Sequence, residues 1–358
     1  MDSERRKVTR GLGGMLCAGM MGSGPLTWAM SRNPDRLPIE GEAPSLAGST
    51  AWLNSAPLSG GQLLGKVVLV DFWTYSCINW RRSLPYVRAW AQKYRDQGLI
   101  VVGAHSPEFQ FETVIDNVRR AVQDMDLGYP IAIDNQYQLW NAFENKYWPA
   151  LYLIDARGRI RYHHFGEGDY AQGERNIQQL LREAGASEVG AALVSVEGSG
   201  VEASPDFANL KSPESYLGYG RSERFVSNGR PLPNEPCQFR APALLGMNHW
   251  ALAGTWVVGA QSIALMNAGG RIAYAFHARD LHLVMGPGAA GTAVRFRVTI
   301  DGQPPGDAHG LDVDADGNGT ISQPRMYQLV RQRAPVMDRR FEIEFAQAGA
   351  EAYSFTFG

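Results

Sequence analysis

Apolar positions along the chain follow two rhythms. From residue 66 to about 186, short apolar runs alternate with stretches of helical spacing; beyond about 210, short apolar runs follow one another with turns between them. Residues 66–73 form a nearly continuous apolar run, the pattern of a strand buried on both faces. Leu84, Val87, Trp90 and Tyr94 then recur three and four residues apart, which predicts a helix over 83–97. Residues 99–103 predict a second buried strand, and 111–125 a helix with Val114, Val118, Ala121 and Val122 on one face. A short strand at 131–133 and a short helix at 138–143 come next. Residues 151–155 and 159–165 flank the turn Ala156-Arg157-Gly158 as a hairpin, and 174–184 reads as a closing helix. This order of elements is that of an α/β sandwich around a mixed sheet.

In the later region, Trp250-Ala251-Leu252 and Thr255-Trp256-Val257-Val258 read as two strands either side of Ala253-Gly254. Further strands are predicted at 272–277, 281–285, 294–300, 326–330, 341–345 and 352–357, many separated by Gly, Pro or Asp-Gly turns. The pattern predicts an all-β sandwich or jelly roll, with no fixed-period repeat. The expected organisation is a targeting segment at 1–30, a lead-in at 31–58, the α/β domain at 59–186, a Gly/Ala/Ser/Val-rich linker at 187–209 and the β-sandwich at 210–358. At 358 residues there is length enough for two cores.

The N-terminus changes the picture first. Arg5-Arg6-Lys7 precedes an uncharged, glycine-rich stretch at 11–30, and Ser3-Glu4-Arg5-Arg6-Lys7-Val8 is similar to a twin-arginine export signal. Either a cleaved signal or an N-terminal anchor is expected, with the rest of the chain in a periplasmic or other extracytoplasmic, oxidising space. No later stretch is apolar for the roughly 20 residues a spanning helix needs. The net charge of −2 and the lack of a long basic run argue against nucleic acid as a partner.

Three cysteines, Cys17, Cys77 and Cys237, are too few for a disulfide scaffold and have no zinc spacing. No metal site is expected. His163 and His164 are adjacent and so point to opposite faces of a strand. Asp312-Val313-Asp314-Ala315-Asp316-Gly317 opens like a calcium loop, but Gln323 stands where the bidentate Glu belongs, so a turn between strands is the preferred reading. Cys17 lies in the targeting segment. Cys237 reads as a small residue in a loop beside Pro236, with a Cys77–Cys237 disulfide as the minor alternative.

Chemistry concentrates at Asp71-Phe72-Trp73-Thr74-Tyr75-Ser76-Cys77-Ile78-Asn79-Trp80. A buried strand ends, the chain turns, and a cysteine sits where a helix begins. An exposed thiol is expected there, with the helix N-terminus and the flanking Arg81 and Arg82 stabilising the nucleophilic thiolate. Thr74-x-x-Cys77 echoes a peroxiredoxin site, although Val70 stands where that site has proline. His105 and Glu108 follow the second strand at the same end of the sheet; they are either cleft residues or surface polarity of a loop, the second being preferred.

The motifs Val70-Asp71-Phe72-Trp73-Thr74-Tyr75-Ser76-Cys77-Ile78-Asn79, Ala104-His105-Ser106-Pro107-Glu108-Phe109, Tyr147-Trp148-Pro149-Ala150 and Phe165-Gly166-Glu167-Gly168-Asp169-Tyr170 resemble the thioredoxin-like domain of DipZ-type proteins, within the wider TlpA-like group of exported thiol-disulfide oxidoreductases. The segment Ser212-Pro213-Glu214-Ser215-Tyr216-Leu217-Gly218-Tyr219-Gly220-Arg221 and the closing Tyr353-Ser354-Phe355-Thr356-Phe357-Gly358 resemble the β-sandwich that follows it, a module likened to carbohydrate-binding modules. The resemblance implies a thioredoxin-like α/β sandwich followed by an all-β jelly-roll sandwich. It implies Cys77 as the attacking thiol, a cis proline at Pro149 beside Trp148 and facing Cys77, and Asp71 as the buried acid that serves the resolving thiol; since that thiol is missing, a carboxylate retained for hydrogen bonding is an equal alternative for Asp71. It implies no cofactor.

Two departures stand out. The family's Cys-x-x-Cys reads Cys77-Ile78-Asn79-Trp80 here, and the multi-helix membrane domain carried by many members is not seen in this sequence. Without a second cysteine, Cys77 can open a disulfide but cannot resolve the mixed disulfide alone. The preferred expectation is a monothiol oxidoreductase or thiol-dependent antioxidant acting on protein disulfides, small thiols or peroxides. The alternative is a non-catalytic protein whose cleft and β-domain bind protein or glycan. Of the aromatics in the second domain, Trp250 and Trp256 each share a strand face with an aliphatic residue and are expected in its core, while Tyr216, Tyr219, Tyr274 and Tyr327 complete the set from which a sugar platform would be drawn.

Overall fold

The computed structural model describes residues 36–228, 231–288 and 291–358; the proposed export segment with Arg5, Arg6 and Cys17 lies outside them. Seven strands make the first sheet: Gly41–Glu42 (β1), Ala51–Leu53 (β2), Val67–Trp73 (β3), Leu99–His105 (β4), Ile131–Ile133 (β5), Ala150–Ile154 (β6) and Arg159–Phe165 (β7), in spatial order β1-β7-β6-β3-β4-β5-β2. Strands β3, β4 and β5 run parallel, and β6 and β7 add antiparallel to β3. All seven residues of β3 are buried, as its unbroken apolar run requires. The lead-in, read as irregular, supplies β1 and β2, which pair with β7 at one edge and β5 at the other.

Five helices accompany the sheet: Gly60–Leu63 (α1), Ile78–Tyr94 (α2), Ile115–Asp124 (α3), Gln138–Ala142 (α4) and Tyr170–Glu183 (α5). Helix α2 starts five residues before the expected 83, because Trp80 already keeps the phase of Leu84, Val87 and Trp90 and is buried with them. Helix α3 starts four residues after the expected 111: residues Gln110–Thr113 form a tighter 3-10 turn, and extended Val114 breaks the two apart.

The second domain is an all-β sandwich around its own apolar core. The two strands expected around Gly254 are one strand, Trp250–Val258. Its first half pairs with Arg271–Phe276 and its second half with Pro236–Phe239 and Ile263–Leu265. Gly254, at φ +99°, makes the bend that carries the strand from one sheet to the other. Pro236–Phe239 corrects the loop expected around Cys237, which pairs with Trp256 across the ladder. Trp250, Trp256, Tyr274 and Tyr327 are buried; Tyr219 is exposed. Asp312 is engaged by Arg325 at 2.6 Å and by the Gln328 N–H at 2.7 Å, and Asp314 accepts from Asn318, which holds this segment as a turn between strands.

An apolar seam joins the domains. Ile78 and Phe109 of the first pack with Val284, Met326 and Tyr353 of the second. Arg82, buried at the seam, donates to Glu167 at 3.0 Å and to the Phe357 carbonyl at 2.9 Å. Among the described residues, no helix is long and apolar enough to cross a membrane.

Candidate functional site

Strand β3 delivers the chain to Cys77, which is the N-cap of α2. The Cys77 N–H closes the turn on the Thr74 carbonyl at 3.2 Å. Its thiol lies 3.8 Å from the carbonyl oxygen of Trp148, and the Trp148–Pro149 peptide is cis. The thiol and the proline loop therefore face each other. Trp148 is held by its indole N–H on the Ser106 carbonyl at 3.0 Å and by its ring against Trp140.

Two expectations about the thiol change. Cys77 is buried, with 4% of its surface accessible, rather than exposed. Arg81 and Arg82 do not act as its dedicated cations: Arg81 pairs with Glu202 at 3.5 Å and Arg82 with Glu167 at 3.0 Å. The alternation along β7 puts His163 near Glu40 and His164 near Asp169, away from any ligand cluster. Among the described residues, no group of His, Cys, Asp and Glu is placed to hold a metal.

Trp80 fills the position of a resolving cysteine from inside. Its indole stacks on Trp73 at 4.4 Å, and its N–H donates to Asp71 Oδ2 at 2.9 Å. Gly103, the partner of Asp71 in β4, makes this stack fit: a Cβ there would stand 2.8 Å from the Trp73 indole nitrogen. Asp71 is wholly buried, and burial pushes its carboxyl up to about 7, the Trp80 hydrogen bond offsetting only part of that cost. The retained acid thus has a structural customer in the tryptophan.

His105 and Glu108 are both buried side chains, which corrects the surface-loop reading. His105 is enclosed between Trp73 and Tyr75, and desolvation drives its imidazole down to about 3, so it is neutral and does not line a cleft. Glu108 turns toward the second domain, accepting from Tyr216 Oη at 2.8 Å and Arg221 at 3.1 Å.

Glu112 was not distinguished by the sequence. Its buried carboxylate accepts from Ser76 Oγ at 2.6 Å, the Glu108 N–H at 2.6 Å and the Phe109 N–H at 2.9 Å. It pins the residue before Cys77 to the loop that meets the second domain. Its position three residues after Phe109 is the one available cue, that of an acid closing back on a helical turn. Glu112→Gln sets an amide NH2 against one of these donors and is expected to destabilise the chain by roughly 2–3 kcal/mol. A thermal melt with an unchanged midpoint would contradict this assignment.

Comparison with known proteins follows the same two-part layout. Residues 40–163 match the model of the AhpC/TSA family, and residues 212–358 that of the thioredoxin-like C-terminal domain. The chain is 39% identical over 323 residues to protein DipZ of Mycobacterium bovis, covering 89% of this chain and 43% of that protein. It therefore spans less than half the length of that relative. It is 33% identical over 141 residues to the thiol-disulfide oxidoreductase YkuV of Bacillus subtilis, covering 39% of this chain and 94% of that one. The solution structure of a thioredoxin-like protein in its oxidized form superposes with a TM-score of 0.37, at 32% identity over 42% of this chain and 97% of that one.

Proposed function

This chain belongs to the thioredoxin-like thiol-disulfide oxidoreductases, as a homologue of DipZ, and on that premise we propose that it is an exported monothiol member acting through Cys77. The observation that carries the reading is the placement of Cys77: a thiol at the N-cap of α2, facing the carbonyl of Trp148 across the cis Pro149 loop. A helix N-terminus favours the anionic form of a group placed there, and thiolate is the form that attacks sulfur. Trp80 occupies the position from which a second thiol would resolve the mixed disulfide. Cys237 lies on its own strand in the second domain, paired with Trp256 across the ladder. Resolution then falls to an external thiol. Thr74 closes the turn through its carbonyl, which accepts from the Cys77 N–H. Export through the 1–30 segment would place the reaction in an oxidising space.

The test is disulfide exchange by the purified full chain carrying Cys17→Ser and Cys237→Ser, with glutathione as the resolving thiol. That chain should carry one mixed disulfide, at Cys77, seen by mass, and turn over when thiol is added. Cys77→Ser should reduce both to background. Exchange that persists in Cys77→Ser would refute the reading.

The burial of Cys77 favours one competing reading, a non-catalytic binding protein in which the cleft and the sandwich hold a protein or glycan partner. That reading requires partner binding undiminished in Cys77→Ser. A glycan would have to stack on exposed aromatics such as Tyr219, because Trp250 and Trp256 are in the core.

A further inference from the structure

A cavity of about 360 Å³ lies where the two domains and the linker meet. Tyr75, Arg81 and the α3 residues Ala121 and Met125 wall it from the first domain, Val201 from the linker, and Leu311, Pro324 and Met326 from the second domain. Cys77, Trp148 and Pro149 are not among its walls. The volume is that of a small-molecule site.

Two buried donors on this wall have no acceptor. Tyr75 is 3% exposed, and its O–H finds no hydrogen-bond acceptor. Burial pushes the phenol far up from its ordinary range, so the group keeps its proton and stays a donor. Arg81 Nε is likewise buried and unpartnered. The outer end of the same guanidinium stands 3.5 Å from Glu202, a carboxylate that Arg88 also claims at 2.5 Å. A buried donor without an acceptor bears the full cost of its lost hydration, and folded proteins leave few of them. Two such donors facing one cavity call for a ligand that brings acceptors.

Charge narrows the class of acceptor. Arg120 and Arg325 add guanidinium groups to the wall, and Asp124 and Asp312 add carboxylates. Asp312 is taken by Arg325 at 2.6 Å and by the Gln328 N–H at 2.7 Å. Arg120 donates to the neutral Gln323 Oε1 at 2.9 Å. Asp124 is exposed, where water and salt screen it. The wall thus carries one more cation than anion, which suits a single negative charge. Its remaining surface is largely apolar, from Ala121, Met125, Val201, Pro324 and Met326. A carboxylate on a hydrocarbon tail answers each of these demands: acceptor-only oxygens, one charge and an apolar body.

We propose that this junction cavity binds a small amphipathic monocarboxylic acid, its carboxylate taken by Tyr75 Oη and Arg81 Nε and its tail laid against Met125, Val201 and Met326. The site is separate from the thiol chemistry, and neither depends on the other. Because its walls come from both domains, an occupant ties them together and stabilises the folded chain by mass action.

The test is the thermal melt of the full chain with straight-chain carboxylates from butanoate to decanoate, each beside its neutral amide, with isothermal titration to read the affinities. At least one acid should raise the midpoint in a saturable way, and its amide should bind at least about tenfold more weakly, as loss of a charge-assisted contact requires. Tyr75→Phe keeps the ring and removes the unpartnered O–H. Without ligand it should melt at or above the parent, because no hydrogen bond is lost, yet its affinity for the acid should fall about tenfold. Leu311→Glu adds a carboxylate at the rim, on a side chain that is 70% exposed, and should weaken the acid while sparing the amide. No shift with any of the acids, equal binding of acid and amide, or full affinity in either variant overturns the proposal. A Tyr75→Phe chain that melts well below the parent without ligand overturns it too, since the hydroxyl would then serve the fold.

Discussion

Trp80→Cys is expected to lower the stability of the chain by roughly 3–5 kcal/mol, the range for truncating a large aromatic in a packed core. The Trp80 ring is fully buried and stacked on Trp73, and its N–H is the hydrogen-bond partner of Asp71 Oδ2. Removing it opens a void and takes away the one hydrogen bond that eases a buried carboxylate. The same substitution gives Cys77 a partner one helical turn away, at the i, i+3 spacing that brings side chains together on a helix. The variant should therefore trade stability for a new reaction: an intramolecular disulfide on oxidation and a short-lived mixed disulfide. Denaturant titration measures the first effect and intact mass under oxidising conditions the second. A variant as stable as the parent would show that Trp80 is not the keystone of this core.

The second large effect belongs to Asp71. In the unfolded chain its carboxyl titrates near 4; in the folded chain burial holds it at about 7. Below pH 4 both states are protonated and folding is unaffected. Between pH 4 and 7 the folded state keeps a proton that the unfolded state has released, so stability falls as pH rises, by up to about 1.4 kcal/mol per unit. Above 7 both are ionised and the loss levels off at about 4 kcal/mol as an upper bound. Asp71→Asn keeps an acceptor for the Trp80 N–H and has no charge to bury. It should be more stable than the parent by about 2–4 kcal/mol at pH 8, and the slope between pH 4 and 7 should flatten. Parallel melts at pH 4 and pH 8 check this; an asparagine variant that is weaker than the parent at pH 8 would mean that Asp71 is ionised and satisfied in the fold.

How far the chain could be read without its structure follows from where each signal lies. The apolar run at 66–73 and the cysteine at the following helix start are local, so the sheet centre and the placement of Cys77 were legible. Strands of two or three residues, such as Gly41–Glu42, show no period, so the lead-in looked irregular. Gly254 broke the pattern of Trp250–Val258 and read as a turn, because a glycine bend inside one strand and a glycine between two look alike in sequence. The site was half legible. Asp71 and Trp80 were each visible, but their hydrogen bond spans β3 and α2 and is a product of packing. Glu108 looked like a surface acid, and Glu112 was not distinguished at all, because what buries them lies far along the chain or across the seam. The expected help from Arg81 and Arg82 failed for the same reason: adjacency to Cys77 in sequence did not decide where their guanidinium groups turn.

The lead-in has a consequence that does not concern the thiol. A single segment of thirteen residues, from Gly41 to Leu53, places one short strand on each of the two borders of the seven-stranded sheet. Unpaired sheet borders invite neighbouring molecules to add to them. Very short edge strands are a poor template for such pairing. Proteolytic loss of this segment would make seven-residue β7 one border of the sheet and β5 the other. The expected result of such trimming is a first domain with a longer open edge and a greater tendency to pair strand to strand with its neighbours.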